Sequence, residues 1–162
     1  MTVTLRDADA TLELGRVLGA ALAQMIEPPA LLLDGDLGAG KTTLTRGLVG
    51  SLPGADQAEV SSPSFNLVNL YPTRPPVAHF DLYRLEGLPA DPEVLDRLDG
   101  KDSLNIVEWP RFLDQRHWPG ERLEVSFQPA GSGRLVRLRA CGNAAETLLA
   151  ALRPRLSTPA KE

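Results

Sequence analysis

The sequence holds a single cysteine, Cys141, only three lysines, Lys41, Lys101 and Lys161, and just 5% aromatic residues in 162 positions. One cysteine cannot form an intramolecular disulfide, so a disulfide-stapled scaffold is excluded and a reducing compartment is the expected setting. No apolar run approaches the roughly 20 residues that cross a bilayer, and Met1 to Asp9 lacks the basic-then-apolar order of a signal peptide. The expectation is a cytoplasmic protein with no membrane association. An excess of positive charge is also missing: 17 Lys+Arg stand against 21 Asp+Glu, a net charge of -4, with a pI of about 5.2. That balance argues against a general nucleic-acid or anionic-membrane binder, because neutralising phosphates calls for a basic patch and a domain pI above about 9.

What is present describes one globular domain. A composition of 43% hydrophobic residues and a mean hydropathy of -0.13 excludes disorder and collagen-like repeats. A chain of this length buries about two-thirds of its unfolded surface and needs no staples. No internal repeat is visible. The expected organisation is a single domain over residues 1–156 with a frayed tail at 157–162.

Hydrophobic periodicity lays out the elements. Thr2 to Leu5 alternates and suits a short strand, and Asp7 or Asp9 can cap the helix that follows. In that helix Leu14, Val17, Leu18, Ala21, Leu22 and Met25 recur at helical spacing, until Pro28-Pro29 ends it. Ala30-Leu31-Leu32-Leu33 is a continuous apolar run closed by a Gly-rich turn, as expected of a strand buried on both faces at the centre of a sheet. A helix runs from Lys41 to about Leu52, then a small, polar loop from Gly54 to Ser64. Strands are expected at Phe65 to Tyr71, Val77 to Leu82 and Leu104 to Val107, with a short helix around Glu93 to Leu98. Arg122 to Gln128 and Arg134 to Ala140 flank Gly131-Ser132-Gly133 as a hairpin, and Ala144 to Leu156 forms a terminal helix with Leu148, Leu149 and Leu152 inward. This alternation predicts an α/β fold: a three-layer sandwich of P-loop NTPase type, with a mainly parallel central sheet and a C-terminal antiparallel hairpin.

Gly35-Asp36-Leu37-Gly38-Ala39-Gly40-Lys41-Thr42 matches G-x-x-x-x-G-K-[ST], directly after the buried strand and at the opening of a helix, which is the context the motif needs. Glycines let the backbone curl so that successive N–H groups point into one concavity, and the positive end of the helix dipole adds to that field. Lys41 can then reach the β- and γ-phosphates of a nucleotide, and the Thr42 hydroxyl can ligate magnesium. ATP and Mg2+ are the cofactors this implies. An acidic residue must complete the site, and two stand at the ends of strands: Asp81 and Glu108. Glu108 follows the cleaner apolar run and is the first choice for magnesium; Asp81 is assigned to orient water or to support the magnesium site without ligating the metal directly. The hydroxyls of Ser61, Ser62 and Ser64 sit where a loop could sense the γ-phosphate. Asp36 is read as a turn former, Trp109 as a core plug in preference to a base-stacking ring, His79 as a structural histidine and Cys141 as a small buried hydrophobe.

Assembled, these motifs resemble the TsaE (YjeE) family, small bacterial ATPases of tRNA threonylcarbamoyladenosine synthesis. The resemblance runs from about Thr11 to Ala140. It is carried by Gly35 to Arg46, by Ser61-Ser62-Pro63-Ser64-Phe65, by His79-Phe80-Asp81-Leu82-Tyr83-Arg84-Leu85, and by Glu108-Trp109. It implies an ATPase that joins the TsaD and TsaB proteins, whose complex modifies the adenosine beside the anticodon of ANN-decoding tRNAs, and that meets tRNA only indirectly through them. Carried across, Gly38, Ala39, Gly40, Lys41, Thr42 and Thr43 bind phosphates. Thr42 and Glu108 hold magnesium, Lys41, Asp81 and Glu108 are the catalytic set, and Thr11 and Arg134 are candidates for the adenine end. This chain departs from the family in carrying serine where Thr is expected at Ser61 or Ser64. The competing readings are a P-loop small-molecule kinase, against which no Arg-rich lid is evident, and a nucleotide-sensing module that does not hydrolyse.

Overall fold

The computed structural model describes residues 1–63 and 65–156; Ser64 and the tail expected to fray lie outside them. Seven strands form one sheet: β1 (Thr2–Leu5), β2 (Ala30–Asp34), β3 (Val68–Tyr71), β4 (Val77–Asp81), β5 (Leu104–Glu108), β6 (Arg122–Ala130) and β7 (Gly133–Cys141). Their order is β1-β7-β6-β2-β5-β4-β3. β6, β2, β5 and β4 run parallel, and the outer strands are antiparallel to their neighbours. The four helices are α1 (Ala8–Leu22), α2 (Lys41–Gly50), α3 (Pro92–Asp99) and α4 (Asn143–Leu156). The parallel centre and the C-terminal hairpin expected from the pattern are both present.

Strand alternation sorts the side chains into two layers. Leu31 and Leu33 of β2, Leu104 and Ile106 of β5, and Leu123 and Val125 of β6 pack beneath α1, α2 and α4. Leu32, Phe80 and Val107 point the other way, toward Val94 and Leu98 of α3 and the turns that follow β4 and β5. The second face is covered only in part. Arg122 and Glu124 of β6 and Arg139 of β7 alternate with the core residues there and pair on the sheet surface. Cys141 belongs to this outer row, half-exposed with its Sγ 3.5 Å from Glu124 Oε1, so the expectation of a buried cysteine fails because its strand position faces the open side.

The helix ends follow local chemistry. Asp7 caps α1 by accepting a hydrogen bond from the Ala10 amide at 2.8 Å, and Asp91 caps α3 in the same way through the Glu93 amide, with Pro92 at the first helical position. The expected strand from Phe65 begins only at Val68. Leu67 adopts a left-handed conformation (φ 61) and turns its carbonyl to accept from the Asp81 amide at 2.9 Å, which interrupts the extended backbone. Between α1 and α2 the packing is unusually close. A Cβ on Gly47 would run into the Leu12 carbonyl oxygen, and one on Gly15 would lie 2.8 Å from the Leu48 amide nitrogen. Gly47→Ala is expected to cost about 1–3 kcal/mol of unfolding free energy by forcing the helices apart, measured by urea denaturation. Gly50→Ala, where an added Cβ meets nothing within 4 Å, should leave the midpoint unchanged or raise it. An equal midpoint for Gly47→Ala and the parent would refute the close-packing account.

Candidate functional site

Three carboxylates end three neighbouring parallel strands: Asp34 on β2, Glu108 on β5 and Asp81 on β4. The register fixes their spacing, since Leu33 pairs with Glu108 and Asp81 pairs with Glu108. Ligands of open α/β sheets bind outside these carboxyl ends, and the glycine loop 35–40 leaves β2 at the same edge. Gly38 (φ 75) and Gly40 (φ 113) take left-handed backbone, which a Cβ would disfavour, and the chain enters α2 with no side chain capping it. The first amides of α2 are therefore free of a side-chain acceptor and point, with the positive end of the helix dipole, into the loop.

Lys41 and Thr42 open that helix. The Lys41 ammonium donates to the carbonyls of Gly35 at 2.6 Å and Asp36 at 2.9 Å and lies 3.9 Å from the centre of the Trp109 ring. Trp109 is buried, stacked on Phe112 and tilted against Tyr83, so the core role expected for it holds, while its face also carries the ammonium. Burial lowers the Lys41 pKa from its ordinary value against the opposing pull of Glu108, Asp81 and Asp34, with a smaller lowering contribution from Arg111. Arg111 is held at the end of β2, its Nε donating to Asp34 Oδ1 at 2.7 Å.

Glu108 is the hub. Its Oε1 accepts from the Thr42 hydroxyl at 2.9 Å and lies 2.8 Å from His79 Nε2. His79 Nδ1 lies 3.2 Å from the Tyr71 hydroxyl, which itself donates to the Ser61 carbonyl at 3.1 Å. Burial raises the Tyr71 pKa against the lowering effect of its hydrogen bonds, so the phenol stays neutral. Asp81 is engaged differently: its Oδ2 accepts from the Ser62 hydroxyl at 2.8 Å and its Oδ1 from the Tyr83 amide at 3.0 Å. Thr11 and Arg134 flank the loop from other elements. Thr11 Cγ2 and Arg134 Nε would lie 3.3 and 3.5 Å from a Cβ on Gly40, and Arg134 Nη2 donates to the Gly38 carbonyl at 3.3 Å.

The structure thus gathers the loop glycines, Lys41, Thr42, Thr43, Glu108 and Asp81 at one edge, with Thr11 and Arg134 beside Gly40. The sequence reading missed the link from Glu108 through His79 to Tyr71. Its one signal was the i, i+2 placement of His79 and Asp81 on an otherwise apolar strand. It also missed Arg111, which no motif marks. Among the described residues no group of three or more His, Cys, Asp or Glu side chains forms a cation cage. The hydroxyl of Thr42 beside the carboxylate of Glu108 instead fits magnesium, a hard cation that takes one or two protein oxygens and completes its shell with water and phosphate.

A parallel-centred α/β sheet with this loop and helix start at its carboxyl edge defines a P-loop NTPase-like protein. More narrowly, the chain belongs to the TsaE family: the model described as threonylcarbamoyl adenosine biosynthesis protein TsaE matches residues 5–136. It is 32% identical over 159 residues to the tRNA threonylcarbamoyladenosine biosynthesis protein TsaE of Haemophilus influenzae, covering 93% of this chain and 96% of that one. The Streptomyces coelicolor protein of the same name is 42% identical over 99 residues, with 58% of this chain and 66% of that protein covered. The crystal structure of Bacillus subtilis YdiB superposes with a TM-score of 0.75 at 25% identity, over 96% of this chain and 95% of that one. Among the described residues no helix is long and apolar enough to cross a membrane.

The buried Lys41 gives a test of the site that needs no ligand. Its pKa is lowered in the folded state, so between that lowered value and 10.5 the unfolded chain binds more protons and stability rises with pH. At neutral pH the buried ammonium therefore costs stability, offset by its two carbonyl hydrogen bonds. Lys41→Met is expected to unfold at the same or higher urea concentration at pH 7, with its advantage over the parent shrinking as pH approaches 10.5. A loss above about 1 kcal/mol at pH 7 would mean that the carbonyl contacts outweigh desolvation.

Proposed function

We propose that this chain binds ATP in the loop 35–43, hydrolyses it with magnesium, and does so as the nucleotide-driven subunit of tRNA threonylcarbamoyladenosine formation, joined to proteins of the TsaD and TsaB kind. Family membership supplies the pathway. The observation that carries the nucleotide chemistry is the Thr42 hydroxyl 2.9 Å from Glu108 Oε1 at the start of α2, a pair of hard oxygens where the β- and γ-phosphates of a bound nucleotide would meet the helix dipole.

In this reading each residue has a separate task. The amides from Gly38 to Thr43 receive phosphate oxygens, and Lys41 exchanges its two loop carbonyls for them. Thr42 and Glu108 hold magnesium, which supplies charge neutralisation on the transferring phosphoryl group when bound. Asp81, fixed by the Ser62 hydroxyl and the Tyr83 amide, orients the attacking water. Thr11 and Arg134, beside Gly40, close the side of the loop from which a nucleoside would extend. Ser62 ties the loop before β3 to Asp81, so a partner that orders this loop would stimulate an otherwise slow enzyme. The net charge of -4 fits a protein that reaches tRNA through its partners.

The test is product analysis with labelled ATP and magnesium, alone and with TsaD and TsaB homologues. Inorganic phosphate should be the labelled product and its rate should rise with the partners; a phosphorylated metabolite would indicate a kinase instead, and binding without turnover a sensor. Lys41→Ala should weaken ATP binding by at least roughly tenfold. Glu108→Ala should lower turnover by roughly 100-fold or more while sparing magnesium-free nucleotide affinity, and turnover equal to the parent would remove Glu108 from the mechanism.

A further inference from the structure

His79 is 0% exposed, yet both ring nitrogens face polar groups: the Tyr71 hydroxyl at 3.2 Å and Glu108 Oε1 at 2.8 Å. A histidine that merely filled this layer would lie among apolar side chains, where a leucine avoids the cost of burying polar atoms. The geometry is instead a continuous line across the sheet. Tyr71 on β3 pairs with Val77 of β4, two residues before His79, and His79 pairs with Ile106 of β5, two residues before Glu108. Each link is thus a diagonal cross-strand contact on one face. At its far end the line leaves the sheet, because the Ser61 carbonyl accepts from both the Tyr71 hydroxyl and Asn69 Nδ2. At its near end it meets Thr42 on α2.

Resting on the ATPase reading, we propose that His79 and Tyr71 are positioning residues: they aim the Glu108 carboxylate at Thr42 and hold the Ser61-Ser62 segment with the same hydrogen-bonded line. The Ser62 hydroxyl on Asp81 gives that segment a second anchor. The two acidic groups of the site are consequently set by one loop, Asp81 directly and Glu108 through Tyr71 and His79. Disturbing the line at either end is felt at the other, 47 residues away in sequence between Ser61 and Glu108.

Two arms test this. In the protein without nucleotide, cleavage after the exposed Glu59 by a glutamate-specific endopeptidase reports how firmly the segment is held. Tyr71→Phe, His79→Leu and Glu108→Ala should each accelerate that cut by roughly fivefold, the change expected for losing one hydrogen bond, with global urea midpoints used to correct for overall stability. His79→Gln, which keeps a donor toward Glu108, should restore part of the effect of His79→Leu. In the second arm, Tyr71→Phe should raise the magnesium concentration for half-maximal ATP hydrolysis by roughly threefold or more with little change in the ATP affinity measured without magnesium. Cleavage at the parent rate in Glu108→Ala, or an unchanged magnesium requirement in Tyr71→Phe, overturns the proposal and leaves His79 a buried filler. Failure of the parent chain to bind or hydrolyse ATP overturns the ATPase reading instead, and the cleavage arm still decides whether the line exists.

Discussion

The parallel register of β2, β5 and β4 is the constraint on which the rest depends. Pairing Leu33 with Glu108 and Asp81 with Glu108 sets the carboxylates of β5 and β4 in one row beside the end of β2, where the glycine loop departs. A shift of one residue in either ladder would turn Glu108 or Asp81 to the opposite face. The register is held by the apolar layers on both sides, Leu31, Leu33 and Ile106 against the helices and Leu32, Phe80 and Val107 against α3. Hydrophobic burial that defines the core thus also places the charges.

The site combines two kinds of polar group. The loop amides and the α2 dipole are fixed by backbone geometry and need no side chain. Lys41, Thr42, Glu108, Asp81 and His79 are side chains, four of them buried, and each is engaged by a named partner. Among the described residues no buried side-chain nitrogen or oxygen lacks a hydrogen-bond partner. Such satisfaction keeps charged groups inside a small protein at tolerable cost, and it means that a ligand entering the loop must exchange partners with Lys41, which now serves the Gly35 and Asp36 carbonyls.

Much of the architecture was legible because its signals are local. The apolar run Ala30 to Leu33, the glycine motif after it and the alternating hairpin strands each announce themselves within a few residues. Glu108 and Asp81 were found for the same reason, as acids ending apolar strands. What escaped was long-range. Arg111 meets Asp34 and His79 meets Glu108 only because the sheet brings distant segments together, and a histidine on a buried strand looks alike whether it fills or connects. The Phe65 start of β3 was misread because Leu67, an apolar residue in an alternating stretch, adopts a left-handed turn that no residue type there advertises. Cys141 was misplaced because the sequence does not tell which side of the hairpin lacks a helical cover.

The glycine-mediated approach of α1 to α2 limits how far the two helices can slide against each other. With Gly47 seated against the Leu12 backbone and Gly15 against α2, and with Leu14, Leu18, Leu44 and Leu48 in one core cluster around them, the two helices form one block. Lys41 and Thr42 begin that block, so they form an anvil and not a moving jaw. Facing that block, the stretch before β3 is tied by the Ser62 hydroxyl on Asp81 and by the Ser61 carbonyl, with Val60 packed against the core, so a seat locked backbone to backbone stands opposite a segment fastened at a few points.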